Sequence, residues 1–242
     1  MTETLALVGV AGGVGTTRVT VEMAATLARA GHSVAVLDAA FGTQGLSTYI
    51  GGRIEPDLTA VATDEAGFSD ALVDVWQDLA GEAALVPAHA PFERIARAKT
   101  VDAAQRFETC IDHARSRFDY VLLDVPPVSA NQAVAAVRAA DRRVLVAPAT
   151  RRGTDHHPRM RGRLVDLGFD VDALVANFAD DAPSLPDADH EIPTGDSDVS
   201  VPTAVDPDAT FAPAVAATTE GLCNCSLDLA FPTESFLNYG NN

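Results

Sequence analysis

Between residues 9 and 17 the chain reads Gly9-Val10-Ala11-Gly12-Gly13-Val14-Gly15-Thr16-Thr17, four glycines and two hydroxyls in nine residues. Glycines let a ligand approach bare backbone amides, and amides at a helix N-terminus hold anions. The chemistry this spacing suits is phosphate binding. The plainer alternative is a tight strand–helix turn with no ligand. Asp124, just ahead of Pro126 and Pro127, is a second candidate, because a carboxylate at the C-terminal end of a strand faces the ligand crevice of an open α/β sheet. Asp38 and Asn177 also end apolar runs. Asp38 could instead cap a turn, and Asn177 could instead tie down a loop.

Arg151, Arg152, Arg159, Arg161 and Arg163 form the one basic island, five arginines in thirteen residues. It could meet phosphate, nucleic acid or an acidic partner. The reading favoured here is that these arginines pair with the acidic C-terminal third. His156 and His157 do not have metal-ligand spacing, and Cys223 and Cys225 have no second pair with which to build a zinc site. No catalytic residue is assigned. Trp76 reads as core packing from its helical spacing to Leu72 and Leu79.

These residues need elements to position them. Residues 5–10 are a short apolar run that reads as a buried strand. From 16 to 30, Val19, Met23, Leu27 and Ala30 recur at helical spacing, and Gly31 closes the helix. Residues 34–38 are the next strand, and the two strands are expected to pair in parallel as one βαβ unit. Further strands are expected at 83–87, 120–124, 144–148 and 174–177. Helices are expected between them near 69–79, 101–117, 131–140 and 159–167. This alternation predicts an α/β fold, a three-layer, doubly wound, mostly parallel sheet. Residues 180–210 are rich in Asp, Pro, Ser and Thr and read as a loop-rich closing segment, followed by a short helix near 211–219. A single domain over 1–221 and a loose tail over 222–242 are expected.

Composition excludes several classes. The 242 residues are 47% apolar, enough for a sizeable core and too many for wholesale disorder. No run of about 18 apolar residues marks a membrane span, and no basic segment precedes an apolar run at the N-terminus. A cytoplasmic chain is expected. The charge is 34 acidic against 17 basic residues, of which 16 are Arg and one, Lys99, is Lys. That bias looks like adaptation to concentrated salt. Residues 164–242 carry 15 acidic and no basic side chains, which disfavours a DNA-binding arm or a basic membrane helix there.

The glycine loop resembles two known patterns. Gly9, Gly13 and Gly15 match the dinucleotide turn of short-chain dehydrogenases, with Asp38 on a ribose hydroxyl. That family needs a Tyr-x-x-x-Lys pair, and the residue four before Lys99 is Ile95, so its active site cannot be assembled. The other pattern is the P-loop of the ParA/MinD division of P-loop NTPases, here Ala11-Gly12-Gly13-Val14-Gly15-Thr16-Thr17. Residues 38–46 resemble that family's first switch, 118–127 its Walker B strand and second switch, 139–148 the following helix end and strand, and 174–177 the strand whose Asn reads adenine. Order and spacing hold over residues 4–205. The resemblance implies nucleotide binding by Gly12, Gly13, Val14, Gly15, Thr16, Thr17 and Asn177. It implies ATP or ADP with Mg2+, the metal held by Thr17, Asp38 and Asp124, and a homodimer or a heterodimer with a paralogue.

Three departures bear on that expectation. Ala11 and Thr16 stand where the family has lysines, and Ala40 where its first switch has a second acid. Arg18 lies about 200° around the helix from Thr16 and is a poor substitute. The expected outcome is weak nucleotide binding with slow or no turnover in a protein that positions cell components. The alternative is a nucleotide-independent scaffold like the pilus-localising TadZ/CpaE proteins, which also lack the P-loop lysine. DNA contact is expected only through the arginine island.

Overall fold

The computed structural model describes residues 2–180, 185–196 and 201–233. The apolar runs become the inner strands β1 (Glu3–Gly9), β2 (Ser33–Asp38), β4 (Glu82–Val86), β5 (Tyr120–Val125), β6 (Arg142–Pro148) and β7 (Ala173–Asn177). A short edge strand lies at each end, β3 (Val73–Val75) and β8 (His190–Ile192). Their order is β3-β4-β2-β5-β1-β6-β7-β8. All pairings are parallel except β3 with β4. Leu5, Leu7, Val36, Leu122 and Val146 are fully buried in the inner strands, as strands covered on both faces must be.

Helices cover the sheet. Among them α1 (Thr16–Arg29) packs against α7 (Phe211–Cys223), and α4 (Val101–Arg115) packs against α5 (Asn131–Ala139). The doubly wound, mostly parallel α/β architecture is the one the alternation predicts. Two short helices, α2 (Leu58–Ala62) and α3 (Phe92–Ala98), had no periodic signal long enough to mark them. Asp57 caps α2 by accepting from the amides of Thr59 and Ala60.

Four expectations are corrected. First, β1 and β2 do not pair: β5 lies between them, so the crossover through α1 spans one intervening strand. Second, residues 69–79 are not a helix. A 3-10 turn (Phe68–Ala71) leads into β3, whose Val-Asp-Val alternation leaves Asp74 exposed at the sheet edge. Trp76 then takes φ 50° in a turn and packs half-buried on the core. Third, the helix expected from 159 is α6 (Arg151–Asp166), which begins eight residues earlier and contains Pro158. Gly153, His157, Met160 and Leu164 share its buried face, and that packing outweighs the breaker. Fourth, the chain is not loose from 222. Leu222, Cys223 and Leu227 are buried, Leu227 N donates to Glu220 Oε1, and the Arg29 guanidinium donates to the Ala230 carbonyl. The expected tail beyond 233, and residues 181–184 and 197–200 of the expected closing segment, lie outside the described residues.

Candidate functional site

β1 is flanked by β5 and β6, and its C-terminal end runs into the glycine loop. Gly13 and Gly15 take φ of 73° and 84°, a region that side-chain-bearing residues adopt only with strain. Gly15 is required on a second ground, since a Cβ there would lie 2.2 Å from Asn177 Nδ2. Val14 is buried and roots the loop in the core. No side chain caps α1 at Gly15, and its first turn holds no acidic residue, so the positive end of the helix is unopposed and suits an anion.

Thr17 in the first turn of α1 donates its hydroxyl to Asp124 Oδ2 at 2.6 Å. Asp124, the last residue but one of β5, is 1% exposed. Burial pushes its carboxyl above the ordinary carboxylate range, and the Thr17 hydroxyl works against that shift. Asp38 stands beside Asp124 in the β2–β5 register and is fully buried. Burial, then the Asp124 charge, raises its pKa further. Its Oδ1 accepts from Ala40 N at 2.7 Å and its Oδ2 from Ala88 N at 3.3 Å. Asp38 thus pins the loop that leaves β2 to the end of β4. Asn177 is also buried, and its Nδ2 donates to the Val14 carbonyl at 3.0 Å, holding the glycine loop from beneath.

A cavity of about 340 Å³ lies over the loop. Its walls are residues 11–17, then Ala40, Thr43 and Gly45 from the loop after β2, and Asp124, Val125, Pro126 and Pro127 after β5. The glycine loop, Thr17 and Asp124 therefore share one hollow. Asn177 supports it from below and Asp38 braces it from behind. The hydroxyl and carboxylate of Thr17 and Asp124 suit a small hard cation that takes oxygen ligands and retains water. Among the described residues no group of three or more His, Cys, Asp or Glu could hold a metal. A cation at this site would therefore draw further oxygens from a ligand or from water.

Several site residues carried no motif. Gly45 approaches Thr17 so closely that a Cβ would lie 3.0 Å from its Oγ1. Arg152 reaches from the start of α6 to the loop, Nη2 donating to the Gly12 carbonyl at 2.9 Å. Arg163 donates to the Val128 carbonyl at 2.7 Å, past Pro127. These contacts correct the reading that the island pairs with the acidic C-terminal third. Among the described residues its ion pair is internal, Arg151 with Asp155 at 3.9 Å. Arg18 points away from the loop, pairing with buried Glu22 at 2.7 Å and donating to Thr203 at 2.8 Å.

A family model described as an AAA domain matches residues 2–154. The septum site-determining protein MinD of Synechocystis sp. is 32% identical over 117 residues, covering 48% of this chain and 41% of that protein. The chain thus aligns with less than half the length of that relative. Among solved structures, MinD of Pyrococcus horikoshii complexed with Mg-ADP matches with a TM-score of 0.78 at 19% identity, over 91% of this chain and 96% of that one. A ParA family ATPase from Chlorobium tepidum matches with a TM-score of 0.74 at 17% identity, over 90% and 97%.

Proposed function

The chain belongs to the ParA/MinD-like P-loop NTPases, and on that premise we propose that it binds ATP or ADP with Mg2+ in the cavity over the glycine loop. The observation that carries this reading is the Thr17–Asp124 pair, set at the head of α1 where the loop amides converge. Gly12, Gly13, Val14, Gly15 and Thr16 would offer amides to the phosphates. Thr17 and Asp124 would hold the metal, and Asp38 would act behind them by fixing the loop after β2. Asn177 would set the depth of the base site through its hold on Val14. The metal, when bound, would neutralise phosphate charge.

We place turnover at slow to none. No residue of the loop carries a cationic side chain, and Ala40 provides no acid to orient water. Charge-stabilising groups in phosphoryl transfer are worth roughly 10³–10⁵ in rate. A nucleotide-gated role in positioning cell components in the cytoplasm fits these features, with a second copy or a paralogue as the partner over the loop face. Arg151, Arg159 and Arg161 would be the DNA contacts if the cargo is DNA. No helix among the described residues is long and apolar enough to cross a membrane.

A second reading, a scaffold that uses the fold without nucleotide, is favoured by the same lack of charge in the loop. The dinucleotide reading loses support, because dinucleotide-binding sheets place their first two strands side by side and here β5 separates them. Equilibrium titration of ATP, ADP and NAD with Mg2+ in molar KCl separates the three, with a Thr17→Ala, Asp124→Ala double variant as control. Saturable ATP or ADP binding that the control abolishes supports the switch. Binding of NAD alone restores the dinucleotide reading. No binding at millimolar nucleotide leaves the scaffold.

A further inference from the structure

Lys99, the single lysine of the chain, follows the last residue of α3. Its side chain lines a hollow of about 140 Å³ together with Ala40, Gly42, Thr43, Pro126 and Pro127. Ala40, Thr43, Pro126 and Pro127 are also walls of the loop cavity, so the two hollows adjoin across the loops that follow β2 and β5. The ammonium sits against the first of these loops: a Cβ on Gly42 would lie 3.8 Å from Lys99 Nζ. Among the described residues the Lys99 ammonium has no carboxylate partner. The other cation at the rim, Arg152, already donates to the Gly12 carbonyl.

A nucleoside triphosphate concentrates negative charge on its terminal phosphate, and the glycine loop answers that charge with amides alone. A lysine is a compact charge on a flexible four-carbon stem, suited to reach a phosphate that projects past the loop toward the β2 and β5 ends. We infer that Lys99 supplies, from this side of the cavity, the positive charge the loop lacks, and that it binds the terminal phosphate of a nucleoside triphosphate. The inference rests on the nucleotide reading above and adds to it a residue that separates triphosphate from diphosphate. The Lys99 carbonyl accepts from Asn131 Nδ2 at 2.9 Å at the start of α5. Lys99 drawn onto a phosphate would therefore act on the start of α5 through this bond.

The test is titration of Mg-ATP and Mg-ADP into the full chain, its Lys99→Gln variant and its Lys99→Arg variant, with thermal unfolding of each. Lys99→Gln is expected to weaken ATP about 10-fold, the worth of one hydrogen bond to a charged group. ADP should change less than about 3-fold on the same scale. Lys99→Arg should restore most of the ATP affinity, and the exposed side chain should leave the melting temperature unchanged. Equal ATP affinity in wild type and Lys99→Gln overturns the inference while the nucleotide reading stands. So does an equal loss for ATP and ADP. A wild-type chain that binds neither nucleotide overturns both, and that result is visible before any variant is made.

Discussion

Thr17 donates its hydroxyl to Asp124 across 2.6 Å, although 107 positions separate the two in the chain. The contact joins the first turn of α1 to the end of β5, and it is the point at which the glycine loop becomes more than a turn. A glycine turn alone needs no hydroxyl and no carboxylate. The pair brings a hard-oxygen donor set to the place where the loop amides end.

Thr17→Val removes the hydroxyl and leaves the buried Asp124 carboxyl without that donor. Losing a partner to a buried polar group costs about 1–3 kcal/mol, so urea denaturation should show a lower midpoint with an unchanged slope. Nucleotide affinity should fall about 10-fold or more in Mg2+ and much less in EDTA. An equal fall in both would assign Thr17 a purely structural role.

Gly15→Ala should be the most damaging single change in the loop. The residue sits at φ 84°, where a side chain costs on the order of 1–2 kcal/mol, and its Cβ would collide with Asn177 Nδ2. Asn177→Ala also destabilises, through the lost bond to the Val14 carbonyl. The double variant should be destabilised by less than the sum of the two, because truncating Asn177 removes the worst of the collision and leaves the backbone strain and a 3.1 Å approach to Phe178 Cζ. Simple additivity in denaturant melts would show that Asn177 does not set the constraint at Gly15.

Glu22 is fully buried in α1, paired with Arg18 and accepting from the amides of Thr203 and Ala204 at 2.8 and 2.9 Å. It fastens the segment before α7 to the helix that follows the phosphate loop. Breaking a buried pair by removing one partner costs about 3–5 kcal/mol, and Glu22→Gln, which keeps one acceptor, should cost less. Hydrogen exchange at Thr203 and Ala204 should accelerate more than exchange in β1. Uniform acceleration would mean the segment is held by other contacts.

Asp38 makes stability depend on pH. Burial and the Asp124 charge push its carboxyl up to about 8 in the folded chain, against the ordinary value near 4 when unfolded. The folded state therefore binds the proton more tightly, and this stabilisation is complete below about pH 4 and lost as pH rises through about 8. Asp38→Asn cannot ionise, so the variant should gain on wild type between pH 5 and pH 9 by about 1 kcal/mol or more. Denaturation midpoints measured across that range check it. A difference that stays flat with pH would show that Asp38 is already charged in the folded chain.

The sequence alone determined most of the local elements and pointed to several residues that the structure brings together at the candidate site. The apolar runs at β1, β2, β5, β6 and β7, the spacing of α1 and the glycines at 12, 13 and 15 are signals written within about twenty residues, the range over which strand and helix periods are set. Thr17, Asp38, Asp124 and Asn177 were legible for the same reason, each marking the end or start of such a run. Short elements without a repeat, such as β3, α2 and α3, were illegible, and the start of α6 was missed because the apolar residues of its first two turns are too few to show a period. Tertiary structure decided the rest. It inserted β5 between β1 and β2, turned Asp38 onto the Ala40 and Ala88 amides, and brought Arg152 to Gly12 and Lys99 to Gly42. Those outcomes depend on contacts between residues far apart in the chain, where the packing of the sheet, not the spacing of neighbours, sets which side chains meet.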